Sequence, residues 1–409
     1  MQIRKVARLG TGHTPSRSVE AYWDPVACTI PWLTLADVWQ LRDGSVSVVH
    51  DTKERISPLG LANSAAVRHP AGTVAFSRTA SVGFSCILGV EMATSQDFVT
   101  WTCGPKLDPR YLLWALRGER DDILRRTQGS THKTIYMPDL EQLTIPFPPL
   151  DAQRRIASYL DSETARIDEV VRMKERLLDQ IHRRQQASLD ESLVPEALGG
   201  VADQSTPSRW KVSSLRRVAA FFTDGDWIES PYITPDGIRL IQTGNVQAGE
   251  YREQGYRYIA PQTFASLGCT EVFPGDVLIS RLASPVGCAC IAPDLGVRMI
   301  ASVDVVILRP TRLMEPEFLV RYLTTARHLG VADLLARGTT MQRLSRSQLG
   351  DIVVPVPPLE VQRHLVDKLK VGEAPIAAVR ERIERQVALL REHRRSLATL
   401  AVTGEGRAA

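Results

Sequence analysis

Two short segments place small residues directly ahead of side chains that can grip a phosphate or a base edge. The first is Gly129-Ser130-Thr131-His132-Lys133. The second is Gly338-Thr339-Thr340-Met341-Gln342-Arg343. A glycine lets the backbone approach a ligand closely, and a Lys, Arg or Gln side chain then reaches a phosphate oxygen or a base edge. Thr131, His132 and Lys133 are therefore candidate contact residues, as are Gln342 and Arg343. Arg78 and Arg281 are second candidates, because each follows a serine (Ser77, Ser280) in a matching context. Positions that are alike in two places suit fold maintenance or phosphate contact better than sequence choice. Discrimination should come instead from dissimilar stretches, such as residues 42–68 and 252–270.

Motifs for other chemistry are missing. There is no GxxxxGK[ST] loop and no GxGxxG behind a strand; Gly10-Thr11-Gly12 is a lone GxG. HExxH and GxSxG are absent too. The eight histidines are scattered, and His182, His364 and His393 fall on long helical segments, poor places for a catalytic pocket. No motif pairs carboxylates as a nuclease metal site requires. The six cysteines form no CxxC pair. Cys288 and Cys290 would share one face of a strand, so buried thiols in a reducing cytoplasm are expected. Catalysis by this chain alone is not expected.

The elements that must position these residues come in two copies. Subtracting 129 from 338 gives an offset of 209, which aligns Gly129 to Ile156 with Gly338 to Leu365 without a gap. It superposes Leu140 on Leu349, Pro148-Pro149-Leu150 on Pro357-Pro358-Leu359, and Gln153-Arg154 on Gln362-Arg363. With small shifts the repeat runs upstream. Gly72 to Ser81 resembles Gly275 to Ser284, Asp108 to Leu116 resembles Glu315 to Leu323, and Ile30 to Val38 weakly resembles Ile238 to Val246. Repetition on this scale means one architecture built twice.

Each copy begins with short β-branched runs broken by Gly and Pro, such as Thr73 to Phe76 and Val303 to Ile307. Short helices are expected over Pro109 to Arg117 and Pro316 to Thr325. Each copy then ends in one long helix. The prolines of PFPPL and PVPPL make stiff elbows, and Asp151 and Glu360 place acid in the first turn, where it complements the helix dipole. No Gly or Pro interrupts Asp151 to Leu193, which predicts about 64 Å of helix. The second should run from about Leu359 to Val402, interrupted early by Gly372 and Pro375. Leu160, Ile167, Lys174 and Ile181 lie seven apart, with Val171 and Leu178 as partners. Ile376, Ile383, Leu390 and Leu397 do the same, with Val379, Val387 and Leu400 nearby. Such narrow seams favour packing the two helices against each other.

Composition agrees with this organisation. The chain has 409 residues, 44% hydrophobic and 23% charged, enough apolar content for a sizeable core and against global disorder. No apolar run is long enough for a membrane span, and no secretory signal is visible at the start. The net charge is only +4, which permits nucleic-acid binding without demanding it. Just eight of the 50 basic residues are lysine. Arginine suits bidentate phosphate or guanine contact, although a GC-rich genome favours it as well.

The order of these features, a variable α/β region followed by a PxPPLxxQ-led long helix, twice over, resembles the specificity subunits of type I restriction–modification systems. Gly10 to Arg17, Tyr22-Trp23 and Ile30 to Val38 look like the start of that family's first target-recognition domain. Trp210 to Val218 and Gly237 to Tyr251 look like the start of its second. The resemblance implies an α+β fold: two similar mixed α/β target-recognition domains separated by two long helices in an antiparallel coiled coil, with an internal pseudo-twofold repeat. The expected divisions are 1–150 and 198–357 for recognition, with 151–197 and 358–403 as spacer helices. The resemblance also implies no catalysis by this chain, split-site double-stranded DNA as ligand, and two methyltransferase subunits plus restriction/translocase subunits as partners. S-adenosylmethionine, ATP and Mg2+ would belong to those partners, and the setting would be cytoplasmic. A coiled-coil assembly scaffold that reads no DNA is the rival expectation; a nuclease or methyltransferase in its own right fits the absent motifs poorly.

Overall fold

The computed structural model describes residues 1–125, 134–194, 210–282, 285–338 and 342–403. The chain divides into two units. One comprises Met1–Arg176 and Ile383–Ala409, the other Leu177–Arg382. The chain passes between them twice, each time inside a long helix, Leu150–Leu193 or Leu359–Thr403.

The first unit holds eight described strands: β1 (Ala7–Thr11), β2 (Ile30–Leu33), β3 (Val48–Val49), β4 (Glu54–Ile56), β5 (Val74–Ser77), β6 (Ser85–Leu88), β7 (Ala93–Thr94) and β8 (Phe98–Cys103). Five form a sheet in the order β1-β8-β5-β6-β3, and three form another in the order β4-β2-β7. Every residue of β5 and β6 is buried, because the central sheet is covered on both faces. Val74 and Phe76 point into one core with Ile87 and Trp101, while Ala75 points into another with Cys86 and Leu88. That is why Thr73 to Phe76 reads as a continuous apolar run rather than an alternating one.

The first core is closed by the helix Pro109–Gly118. Asp108 caps it by accepting from the amides of Arg110 and Tyr111, and Pro109 takes the position where no N–H is needed. The same core takes Ala157 and Leu160 from the start of the first long helix and Ala398 and Val402 from the end of the second.

The second unit holds β9 (Lys211–Ser214), β10 (Ala219–Asp224), β11 (Ile233–Thr234), β12 (Ile238–Ile241), β13 (Tyr258–Ile259), β14 (Glu271–Val272), β15 (Val277–Ser280), β16 (Ala289–Ile291), β17 (Met299–Ala301), β18 (Val305–Pro310) and β19 (Val353–Val356). The antiparallel order β10-β18-β15-β16 repeats β1-β8-β5-β6. The trio β13-β12-β17 repeats β4-β2-β7, with one antiparallel and one parallel pairing in each. The main core here gathers Phe318, Leu319 and Leu323 with Leu193 and Val194 from the end of the first long helix and Val366 and Leu369 from the start of the second. The two units are therefore alike in build: each packs on the beginning of one long helix and the end of the other.

Within the first unit the helices run antiparallel. Asp168 pairs with Arg394 at 2.7 Å, Lys174 donates to Gln386 at 2.7 Å, and Arg391 pairs with Glu175 at 2.6 Å. Leu160, Ile167, Val171, Ile383 and Val387 are buried, as the heptad seam requires. Val379 and Leu400 are instead exposed. Gly372 and Pro375 do not interrupt the second helix, which is continuous through both. Pro375 lacks an N–H to give the carbonyl of Val371, but Val371 is exposed and water can take that role.

Candidate nucleic-acid interface

The paired elbows come first, because they set the framework. In PFPPL-D-A-Q the amide of Gln153 is fully buried. Its Oε1 accepts from the Asp108 N–H at 3.0 Å, and its Nε2 donates to the carbonyls of Lys106 and Pro148 at 3.1 and 2.8 Å. Gln362 repeats all three bonds, accepting from the Glu315 N–H at 2.8 Å and donating to Leu313 and Pro357 at 2.9 and 2.8 Å. Only a side-chain amide has one acceptor and two donors so disposed. The glutamine locks the short capped helix to the root of the long one.

The second shared feature lies at one end of the central sheet. Arg281, just after β15, receives the amide of Leu344 on its carbonyl at 2.9 Å, and Leu282 bridges Arg343. In the first unit Arg78 receives Ile135 at 2.9 Å, and Thr79 bridges Thr134. The offset of 209 maps Thr134 onto Arg343 and Ile135 onto Leu344. Each sheet thus tethers the equivalent loop with the same two contacts.

Their side chains diverge. Arg281 is 6% exposed. Its guanidinium lies 2.7 Å from Asp224 and 3.6 Å from Asp304. Arg343 reaches the same Asp304 at 2.6 Å but stays about half exposed, and exposed Arg346 lies 3.7 Å from Asp224. Arg281, Arg337, Arg343, Ser345 and Gln348 line a cleft of about 770 Å³. Gln342 is exposed beside it. The fold therefore gathers three of the candidates, Arg281, Gln342 and Arg343. It seats Arg281 beneath the surface and leaves the other two on it. Arg78 is half-buried, donating to the carbonyls of Gln96 and Ile135 at 3.0 and 3.5 Å. Thr131, His132 and Lys133 lie outside the described residues.

Sequence reasoning passed over a third shared feature. After β2 and after β12 the chain makes a short turn closed by a capping box, Thr34 with Asp37 and Gln242 with Asn245. Asp37, 1% exposed, also accepts from the Lys53 N–H at 2.7 Å. Asn245 donates to the carbonyls of Arg252 and Gln254 at 2.8 and 2.9 Å. Each clamp residue holds the loop that follows it, and those loops are the dissimilar ones. The weak match of Ile30 to Val38 with Ile238 to Val246 sets Asp37 over Asn245, so the signal was present. Large aromatics stand exposed nearby in sequence: Trp39 in the first unit, Trp227 and Tyr256 in the second.

Among the described residues no three His, Cys, Asp or Glu converge as a metal site, and no helix is long and apolar enough to cross a membrane. Burial pushes the thiols of Cys86 and Cys290 up to about 12 and that of Cys288 to about 11, so these sulfurs stay protonated.

Residues 1–181 match the family model for the type I restriction modification DNA specificity domain. The EcoDI specificity subunit of Escherichia coli is 21% identical over 318 residues, 72% of this chain and 69% of that protein. The EcoBI specificity subunit, also from E. coli, is 22% identical over 320 residues, 73% of this chain and 66% of that one. The chain thus spans about two thirds of the length of these relatives. A solved structure described as the structural basis of complex assembly and conformational transition of the type I R-M system contains a chain of the same fold. Its TM-score is 0.71 at 20% identity, covering 98% of this chain and 96% of that one. The class is a duplicated mixed α/β protein with paired long helices. Within it, the chain is similar over residues 1–181 to the type I restriction modification DNA specificity domain and, at 21–22% identity, to the specificity subunits of type I restriction enzymes.

Proposed function

We propose that the two units each read one half of a split double-stranded DNA site. We further propose that the chain docks two methyltransferase subunits, with restriction/translocase subunits completing the assembly. S-adenosylmethionine, ATP and Mg2+ belong to those partners, and this chain neither methylates nor cuts by itself. Residues 1–150 and 198–357 supply the readers, and 151–197 and 358–403 the spacers. One observation carries this reading: the same two contacts tether a polar or basic loop to the sheet end in each unit, Thr79 with Thr134 and Leu282 with Arg343. Two readers of one build with different loops suit two different half-sites. Gln342 and Arg343 make the outer contacts in the second unit, and in the first unit Lys133, the counterpart of Gln342, does so with its neighbours His132 and Thr131. Arg281 and Arg78 support those loops from beneath.

The test is a gel shift of the chain with its methyltransferase partner, with salt varied and competitors of defined sequence. Steep loss of affinity with salt and competition by a single split sequence are expected. Binding that ignores both salt and sequence would leave a coiled-coil scaffold as the function. Methyl transfer by the isolated chain would overturn the non-catalytic role.

A further inference from the structure

We infer that residues 250–258 are a base-reading loop of the second unit and that Tyr256 is the side chain it delivers to DNA. This rests on the DNA-reading role proposed above and adds a specificity-determining residue to it. Tyr256 is 64% exposed and has φ +37°, one of two non-glycine residues with positive φ among those described. Gly255 before it has φ +79°. A bulky residue in this region is strained, and such strain persists only where the surroundings over-determine it, commonly at ligand-binding positions.

The surroundings do so here. Arg239, 1% exposed, lies beneath the loop and donates to the carbonyls of Gln254 and Arg257 at 2.8 and 3.0 Å, while pairing with Glu253 at 3.0 Å. Asn245 holds the carbonyls of Arg252 and Gln254, and the Gln254 amide returns to the carbonyl of Gly244. The backbone at 252, 254 and 257 is therefore pinned from below, which presents Tyr256 as a rigid aromatic. Arg252 and Arg257 flank it, both exposed and paired with no carboxylate among the described residues. A ring between two free cations fits a stacked or wedged base with a phosphate on either side. The segment also falls in a stretch where the two copies differ, as a determinant of sequence choice must.

The experiment uses the full chain in complex with its methyltransferase and compares wild type, Tyr256→Phe and Tyr256→Asn. Asn tolerates the left-handed region, so it removes the ring without adding backbone strain. The readouts are affinity for the specific duplex at fixed salt and the sequence methylated. Tyr256→Asn should bind about 10- to 100-fold more weakly and relax one half-site only, while Tyr256→Phe keeps both affinity and choice. Unchanged affinity and unchanged half-sites in Tyr256→Asn, with wild type still discriminating, would overturn the loop assignment. So would loss of the methyltransferase complex in place of base choice, which would make the ring a protein contact. A wild-type complex with no sequence discrimination would instead overturn the DNA-reading role.

Discussion

His328 and Gln362 show how single buried side chains tie the second unit to pH and to its elbow. The His328 Nε2–H donates to the Gly287 carbonyl at 3.1 Å, and among the described residues no acceptor meets Nδ1, so a second ring proton would be buried without a partner and the neutral ring is favoured. Burial lowers its pKa to about 4. The unfolded chain protonates near 6.5, so stability is full above that pH and falls as pH drops from 6.5 to 4, by about 3 kcal/mol. His328→Gln should flatten this part of the urea-midpoint profile; an equally steep fall would refute the assignment. Gln362→Glu places a carboxylate against the carbonyls of Leu313 and Pro357. The new acid can satisfy one of them only when protonated, so its folded pKa must rise. We expect a loss of about 2–4 kcal/mol at pH 8, partly recovered at pH 5, by thermal melting against wild type. The repeat singled out Gln153 and Gln362 because they recur at the elbow. Their bonding was not legible, since the partners Lys106 and Leu313 lie far back in the chain. For the same reason the matched Arg281 gave no hint that Asp224 and Asp304, on the ends of other strands, would enclose it.

At the level of elements, heptad spacing and proline elbows placed both long helices to within a residue or so, because a 3.6-residue period and a proline stop are local signals. The strands of one or two pairings, such as β3 and β7, carry no such period and exist through their neighbours alone. The expected interruption at Gly372 and Pro375 failed for a tertiary reason. The start of that helix is anchored in the second core by Val366 and Leu369, and packing outweighs the local propensity. Gly372 keeps a measurable cost. It sits inside the helix on an exposed face, and a Cβ added there meets nothing within 4 Å. Gly372→Ala should therefore stabilise the protein by about 1 kcal/mol. A lower denaturation midpoint would mean that the glycine serves a contact outside this chain.

Across the whole molecule, the two crossings of the chain fall between residues 176 and 177 and between 382 and 383, both within helix. Each core uses residues from both long helices, so neither helix can be lengthened alone without shifting one unit's packing. Lengthening both at the crossings leaves every contact inside each unit in place. On the proposed role, helix length then sets the gap between the two half-sites. Seven residues inserted at each crossing keep the apolar seam in phase and add about 10.5 Å. At ~3.4 Å per base pair the preferred gap should grow by about three base pairs. The second half-site also turns by about a third of the ~10.5-base-pair repeat, so some affinity is lost as well. An insertion of two residues should do worse, because it takes the seam residues beyond each crossing out of the seven-residue phase set by those before it. Base choice within each half-site should not change, since Arg343, Tyr256 and their loops are untouched. Selection of methylated sequences from a library containing every gap length decides the matter. An unchanged gap at full affinity would show that something other than these helices measures the site.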